Sequence, residues 1–555
     1  MLSVLLSSAS LLTLASHALA SPPVVKGYSG LSYVGLRNDT ANQDYFLGIP
    51  FAEPPVGSLR FKPPVPWSPG KMTVVKATRN GPSCVQMIMY TENSVSEDCL
   101  TLNIWKPTNV KEKLPVMVYI YGGAFYIGEI SQYPGNSLLE RAAQINKPII
   151  YVAMSYRVGL YGFPPGKAPV DAGAANLGLK DQRLALEWVQ KNIEYFGGDP
   201  GKVTIFGASA GAMSAGYQSL YHGGKIEGAF RGMILQSGSP SSLYVHKPND
   251  PVREAAFKFI ANATGCLNTP SPFECIRGAP SNVLAQANDD VLKVDPYYHG
   301  IGQAPTIFVP THNPGDDFFT DIPSRLMHSG KFAKVPFING DQLDEGTVFL
   351  NGTSMNTEQD IINWLTVRLP GLYFGMSNVT AIQELLKLYP TDPAVGSPYG
   401  TGNDTFGQGA QYKRASSVLG DLIFQASRRD HHTTATKFGV KTWSYVMKER
   451  PLSFVPFLGV QHGGINPFVA QSVSIIDPDA SEGVLELART IGDYWVNFAY
   501  SLDPNSMEGV KRPNWPKYGA NRKTLQLVAS NITSVEDTPR RRATDFIIQN
   551  SDLYN

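Results

Sequence analysis

The sequence predicts an α/β protein with a large mixed, mostly parallel central sheet, flanked by helices and carrying long helical insertions. Short, β-branched apolar runs recur along the chain. Stretches with apolar residues at three- and four-residue spacing lie between them. Glycine-rich turns close several of the runs. Strand–helix alternation of this kind buries both faces of a sheet, which is why its strands read as continuous apolar runs.

The elements follow in order. Pro115 to Tyr121 reads as a buried strand ending in Gly122-Gly123, and Ile149 to Met154 as the next one. Leu179 to Ile193 carries Leu186, Val189 and Ile193 at helix spacing and stops at Gly197-Gly198-Asp199-Pro200. Val203 to Phe206 is a further strand, as are Met233 to Leu235, Val335 to Ile338 and Trp443 to Met447. The intervals at roughly 240–330 and 350–435 read as mixed helical insertions, and Ile491 to Ala499 as a C-terminal helix. No linker, repeat or charge block divides the chain, so one domain over 21–555 is expected.

Composition narrows the function. The 555 residues are 43% hydrophobic and 17% charged, with a net charge of +1, so no nucleic acid or anionic membrane is implied as a partner. The first twenty residues are apolar and small and end in Ala18-Leu19-Ala20, which reads as a signal peptide (1–20). Polar residues from Ser7 to His17 interrupt this stretch too often for a membrane span. Four cysteines in an exported chain favour two disulfides over metal ligation. Of three possible pairings, Cys84 with Cys99 and Cys266 with Cys275 each close a short polar loop and are preferred. Asn38, Asn262, Asn351, Asn378, Asn403 and Asn531 head N-x-S/T sequons that permit glycosylation.

Gly207-Ala208-Ser209-Ala210-Gly211 carries the chemistry. A bare G-x-S-x-G would arise by chance about a third of a time in a chain this rich in glycine. Its setting is specific, because a β-branched strand enters it and a small-residue helix from Ala212 leaves it. That is the strand–turn–helix of a nucleophile elbow, in which the helix N-terminus faces the developing oxyanion. A serine hydroxyl needs a base, and the base needs an orienting acid, in the chain order Ser, acid, His. Among nine histidines, His431, His432 and His462 lie late enough. The first two fall in a polar helical pattern that reads as helix surface or helix end. His462, in Gly459-Val-Gln-His-Gly-Gly464, lies in a glycine loop beyond a strand, where a mobile base belongs. The acid falls in Gly340-Asp-Gln-Leu-Asp-Glu-Gly346, where order alone leaves Asp341, Asp344 and Glu345 open. Gly122-Gly123-Ala124-Phe125, with Ala210, can present backbone N–H groups to an oxyanion. No metal or cofactor is called for.

Together these residues resemble the type-B carboxylesterase/lipase family of the α/β-hydrolase fold. Phe196 to Gly211 resembles its serine signature, and Ser96-Glu-Asp-Cys-Leu-Thr-Leu-Asn103 its cysteine-containing one. Gly48 to Pro55 with Arg60, Asn176 to Arg183 and Leu235 to Pro240 are also similar, so the likeness runs from about residue 25 to the end. The resemblance implies a Ser209–Glu345–His462 triad and oxyanion donors at Gly123, Ala124 and Ala210. It also implies both local disulfides and an Arg60–Glu97 ion pair.

Two departures bear on substrate. Ala208 stands where cholinesterases and many lipases of the family carry Glu, and the Cys84–Cys99 loop holds no Trp to bind a choline cation. That loop forms the lid in the family's fungal lipases but has only 14 residues here, among them Met87, Ile88, Met89 and Tyr90. A soluble-ester esterase is therefore expected ahead of an interfacial triacylglycerol or sterol-ester lipase. A catalytically silent adhesion homologue is disfavoured, because all three triad residues are present.

Overall fold

Eleven strands form the central sheet of the computed structural model, which describes residues 21–87, 91–243, 245, 247–294, 306–366, 378–450, 455–505 and 508–551. The proposed signal peptide and Ile88, Met89 and Tyr90 lie outside the described residues. The strands are β1 (Leu36–Asn38), β2 (Gln43–Pro50), β3 (Thr101–Pro107), β4 (Leu114–Ile120), β5 (Ile150–Met154) and β6 (Gly198–Ala208). They continue with β7 (Gly232–Gln236), β8 (Phe337–Gln342), β9 (Thr442–Met447), β10 (Lys523–Leu527) and β11 (Thr533–Glu536). Across the sheet the order is β1-β2-β3-β5-β4-β6-β7-β8-β9-β10-β11. All pairs from β5 to β10 are parallel, and the pairs at both edges are antiparallel. Every residue of β4, β5 and β7 is buried, the physical origin of their unbroken apolar runs.

The helices of seven residues or more begin with α1 (Asn136–Gln144), α2 (Leu177–Asn192) and α3 (Ala210–Gln218). The first insertion holds α4 (Pro251–Ala263), α5 (Pro272–Gly278) and α6 (Ser281–Val294). The second holds α7 (Glu358–Thr366), α8 (Val379–Leu386), α9 (Tyr412–Gly420) and α10 (Ala426–Lys437), with a π-turn at Asp421–Gln425 joining the last two. α11 (Glu482–Ser501) and α12 (Arg541–Gln549) follow. α3 packs on β6 and β7, while α1 and α11 pack together, α11 against β4 and β6.

The interior of the sheet follows the sequence pattern, and the edges do not. β2 contains Gln43, Asp44 and Gly48 and has a register shift between Phe46 and Ile49, so no clean alternation marks it. β3 hides Asn103, fully buried because its carboxamide takes the Gly48 N–H (2.8 Å) and gives one to Asn80 (2.8 Å). Satisfied polar groups of this kind mask a buried strand in sequence. The helix expected at Ile491 to Ala499 is the second half of α11 and is not C-terminal, since the β10–β11 hairpin and α12 come after it.

Disulfide bonds join Cys84 to Cys99 and Cys266 to Cys275. Arg60 links the two regions: its guanidinium grips Glu97 through two 2.7 Å contacts and donates to the carbonyls of Arg277 (2.8 Å) and Ala279 (2.6 Å).

Candidate active site

The parallel strands end on one side of the sheet, and there the chain turns from β6 into α3. Ser209 occupies that turn with φ 57° and ψ −127°, a conformation costing a non-glycine residue about 1–3 kcal/mol. Three glycines make it possible. A Cβ on Gly211 would sit 2.0 Å from the Ile120 carbonyl oxygen, and one on Gly207 would sit 2.4 Å from that same atom. A Cβ on Gly122 would lie 2.5 Å from the Ala208 carbonyl oxygen and 3.1 Å from the Ser209 Cβ. The Ser209 N–H donates to the Gln236 carbonyl (2.8 Å), fixing the turn to the end of β7.

The end of β4 supplies the next component. Gly123, Ala124 and Phe125 have φ of 103°, 54° and 64°, three successive residues in the left-handed region. The Gly123 carbonyl accepts from Tyr126 and Ile127 (3.1 Å each), turning the loop back on itself. Tyr121 and Tyr156 hold its root, their rings 4.4 Å apart and each hydroxyl donating to the other's carbonyl at 2.8 Å. Among the described residues, the N–H groups of Gly123, Ala124 and Ala210 have no protein acceptor. Unsatisfied backbone donors are what an oxyanion site presents.

Of the three open carboxyls, only Glu345 meets a late histidine. Its Oε2 lies 2.5 Å from His462 Nδ1, and its Oε1 accepts the Gln342 N–H at 2.6 Å. Gly346 lets this turn dock on α9, since a Cβ there would be 2.0 Å from the Ser416 carbonyl oxygen. The imidazole of His462 packs against Phe424 of the π-turn (4.7 Å) and Phe349 (5.1 Å). Its Nε2 is buried without a hydrogen-bond partner among the described residues, and none joins it to Ser209 Oγ. Catalytic hydrogen bonds often tighten only once substrate is present.

The other candidates are placed elsewhere. Asp341 pairs with Arg428 (2.7 Å), and Asp344 accepts hydrogen bonds from Ser397, Tyr399 and Val460. His431 and His432 are not at a helix surface, which corrects the expectation. They are 1% and 0% exposed, His431 stacking on Phe337 at 4.0 Å and His432 bonding to Thr442 Oγ1 (2.9 Å) and near the Asn339 carbonyl (3.0 Å). The polar helix that holds them is buried because Arg428 and Arg429 find Asp537, at 2.8 and 2.7 Å. Asn262, Asn378, Asn403 and Asn531 are exposed, and Asn38 and Asn351 half-buried. Among the described residues no three His, Cys, Asp or Glu side chains gather as a metal site, and no helix is long and apolar enough to cross a membrane.

A model of the carboxylesterase family matches residues 31–547. The chain belongs to the carboxylesterase family. It is 35% identical to "Secreted lipase 1" of Botryotinia fuckeliana, over 96% of this chain and 93% of that one. It is 34% identical to "Lipase 2" of Geotrichum candidum, over 89% and 90% of the respective chains. "Secreted triacylglycerol lipase LIP1" of Gibberella zeae shares 33% identity, over 92% and 87%. Among solved structures, Aspergillus niger EstA superposes with a TM-score of 0.82 at 26% identity, covering 96% of this chain and 99% of that one. This member of the carboxylesterase family is thus an α/β-hydrolase and a carboxylic ester hydrolase, and the secreted relatives and two disulfides fit an extracellular protein.

Sequence reasoning missed Phe349 and Phe424, which pack against the His462 imidazole and carry no signal of their own, and gave no role to Gln236, although it lies in the family-like Leu235 to Pro240 stretch. Asp344 was in view only as a candidate acid, not as a link between loops.

Proposed function

We propose that the chain is exported after cleavage at Ala20 and hydrolyses dissolved esters of short to medium length through a Ser209 acyl-enzyme. The observation that carries this reading is the pair of buried Glu345 and half-buried His462, whose hidden Nε2 has no partner among the described residues, at the same strand ends as the strained Ser209 turn. His462 takes the Ser209 proton as Oγ attacks the ester carbonyl. Glu345 fixes the imidazole tautomer and stabilises the imidazolium. The N–H groups of Gly123, Ala124 and Ala210 receive the oxyanion. His462 then protonates the leaving alcohol, and water repeats the sequence on the acyl-enzyme to release the acid.

The preference for dissolved esters is supported by how the Cys84–Cys99 loop is attached. Gln86 exchanges hydrogen bonds with the backbone of Gly128, at 2.7 and 2.8 Å. The buried Glu129 carboxylate accepts the Glu92 N–H (2.8 Å) and also bonds Ser83 and Asn93. The loop is thus tied on both shoulders to the segment after the oxyanion turn, unlike a lid that swings. The lipase names of the relatives favour a second reading, an interfacial lipase.

Kinetics on p-nitrophenyl esters test the chemistry. Ser209→Ala and His462→Ala should each lose roughly 10⁴-fold or more in kcat, and Glu345→Gln about 10³- to 10⁴-fold. Near-normal turnover in any of the three would reject its assigned role.

A further inference from the structure

Asp344 stands directly before Glu345, is 2% exposed, and has no ion-pair partner among the described residues. A buried carboxylate without a counter-ion is costly unless donors surround it. Three do. Oδ1 accepts from Ser397 Oγ (2.7 Å) and the Tyr399 N–H (2.9 Å), and Oδ2 accepts from the Val460 N–H (2.9 Å). Arg540 and Lys413 are close enough to feel its charge, but Arg540 is paired with Asp421 (2.7 Å) and Lys413 donates to Thr401 Oγ1 and the Gly402 carbonyl (2.7 Å each).

The three donors come from two loops, and one loop carries His462. The Asp344 N–H also donates to the Val460 carbonyl (3.0 Å), so side chain and backbone together make a bridge to the segment two residues before the histidine. Thr347 Oγ1 extends the bridge to the Leu458 carbonyl (2.8 Å). Gly459 is shaped to this carboxylate, since a Cβ on it would fall 2.4 Å from Asp344 Oδ2.

We infer that Asp344 is a positioning residue that sets the register between the Glu345 turn and the His462 loop, and so the aim of His462 Nε2. The inference rests on the triad reading proposed above. A group held off its productive position by about 1 Å can cost about 10²-fold in rate. Asp344→Asn keeps an acceptor for Ser397 and Tyr399 but can set an amide NH₂ against the Val460 N–H.

The test is kcat and KM on a soluble short-chain p-nitrophenyl ester, per folded molecule, with the folded fraction read by near-ultraviolet circular dichroism. Asp344→Asn should lose about 10- to 100-fold in kcat, with KM within about twofold of wild type. Ser397→Ala, which removes one donor and leaves the carboxylate, should lose about three- to tenfold. It decides the matter if Asp344→Asn does not fold. A kcat within twofold of wild type in the folded Asp344→Asn, or an unchanged Ser397→Ala where Asp344→Asn fails to fold, overturns the inference. So does a loss confined to KM. Glu345→Gln measured in parallel separates the two claims: if it is fully active the triad reading fails, and if it is crippled while Asp344→Asn is not, only the positioning role fails.

Discussion

Ser209 reaches its conformation only because backbones pass closely on both sides of it. The approach that meets Ser209 itself is Gly122, where an added Cβ would abut both the Ala208 carbonyl and the Ser209 Cβ. Gly122→Ala should therefore fold but shift Ser209 against the free donors, with at least a tenfold loss of kcat. Circular dichroism and steady-state kinetics check this, and full activity would show that the turn tolerates the methyl. The glycines and serine were legible in sequence because their spacing is the strain itself. Order and spacing did not single out Glu345, which only the family resemblance implied: Asp341, Asp344 and Glu345 are all carboxyls within one turn, and their packing makes them an Arg428 partner, a loop clamp and a histidine partner respectively. His431 and His432 misled because Arg428, Arg429 and Asp430 beside them look solvated, whereas distant Asp537 draws both arginines inside.

Among the elements, the Cys84–Cys99 loop is the one on which the proposed preference for dissolved esters rests. Because Gln86 and Glu129 tie its shoulders down, its exposure should not change at an oil interface. Rate against concentration of a soluble ester should saturate below the solubility limit and show no jump beyond it, with weak turnover of emulsified long-chain triglyceride. A sharp rise at emulsification would favour the lipase reading. Glu129→Ala removes the Glu92 tether, and limited proteolysis should then nick the chain between residues 85 and 98 more readily than in wild type. Equal resistance would mean that the tether does not hold the loop. The interior strands β4 to β9 were readable because burial on both faces gives each of them a short apolar run. β2, β3 and β10 were not, since edge position and satisfied polar groups such as Asn103 break the pattern.

The whole molecule carries buried polar groups with consequences for its stability. Burial holds His431 down to about 3 and His432 well below its usual value, so both stay neutral in the folded chain. The unfolded chain takes up these protons below about pH 6.5, so stability is lost as pH falls from there toward 3. For His431 alone the loss is about 2 kcal/mol by pH 5. His431→Gln removes this contribution, and its unfolding midpoint should drop less than that of wild type between pH 7 and pH 5. Parallel drops would place the acid sensitivity elsewhere. The claim on which the functional account depends is that one serine, Ser209, is the nucleophile. Treating the protein with a fluorophosphonate and mapping the adduct by mass spectrometry tests it most directly. The account predicts one label per molecule, on the peptide containing Gly207 to Gly211, and none in His462→Ala over the same time. Stoichiometric labelling of a different serine, with Ser209 unmodified, would contradict it.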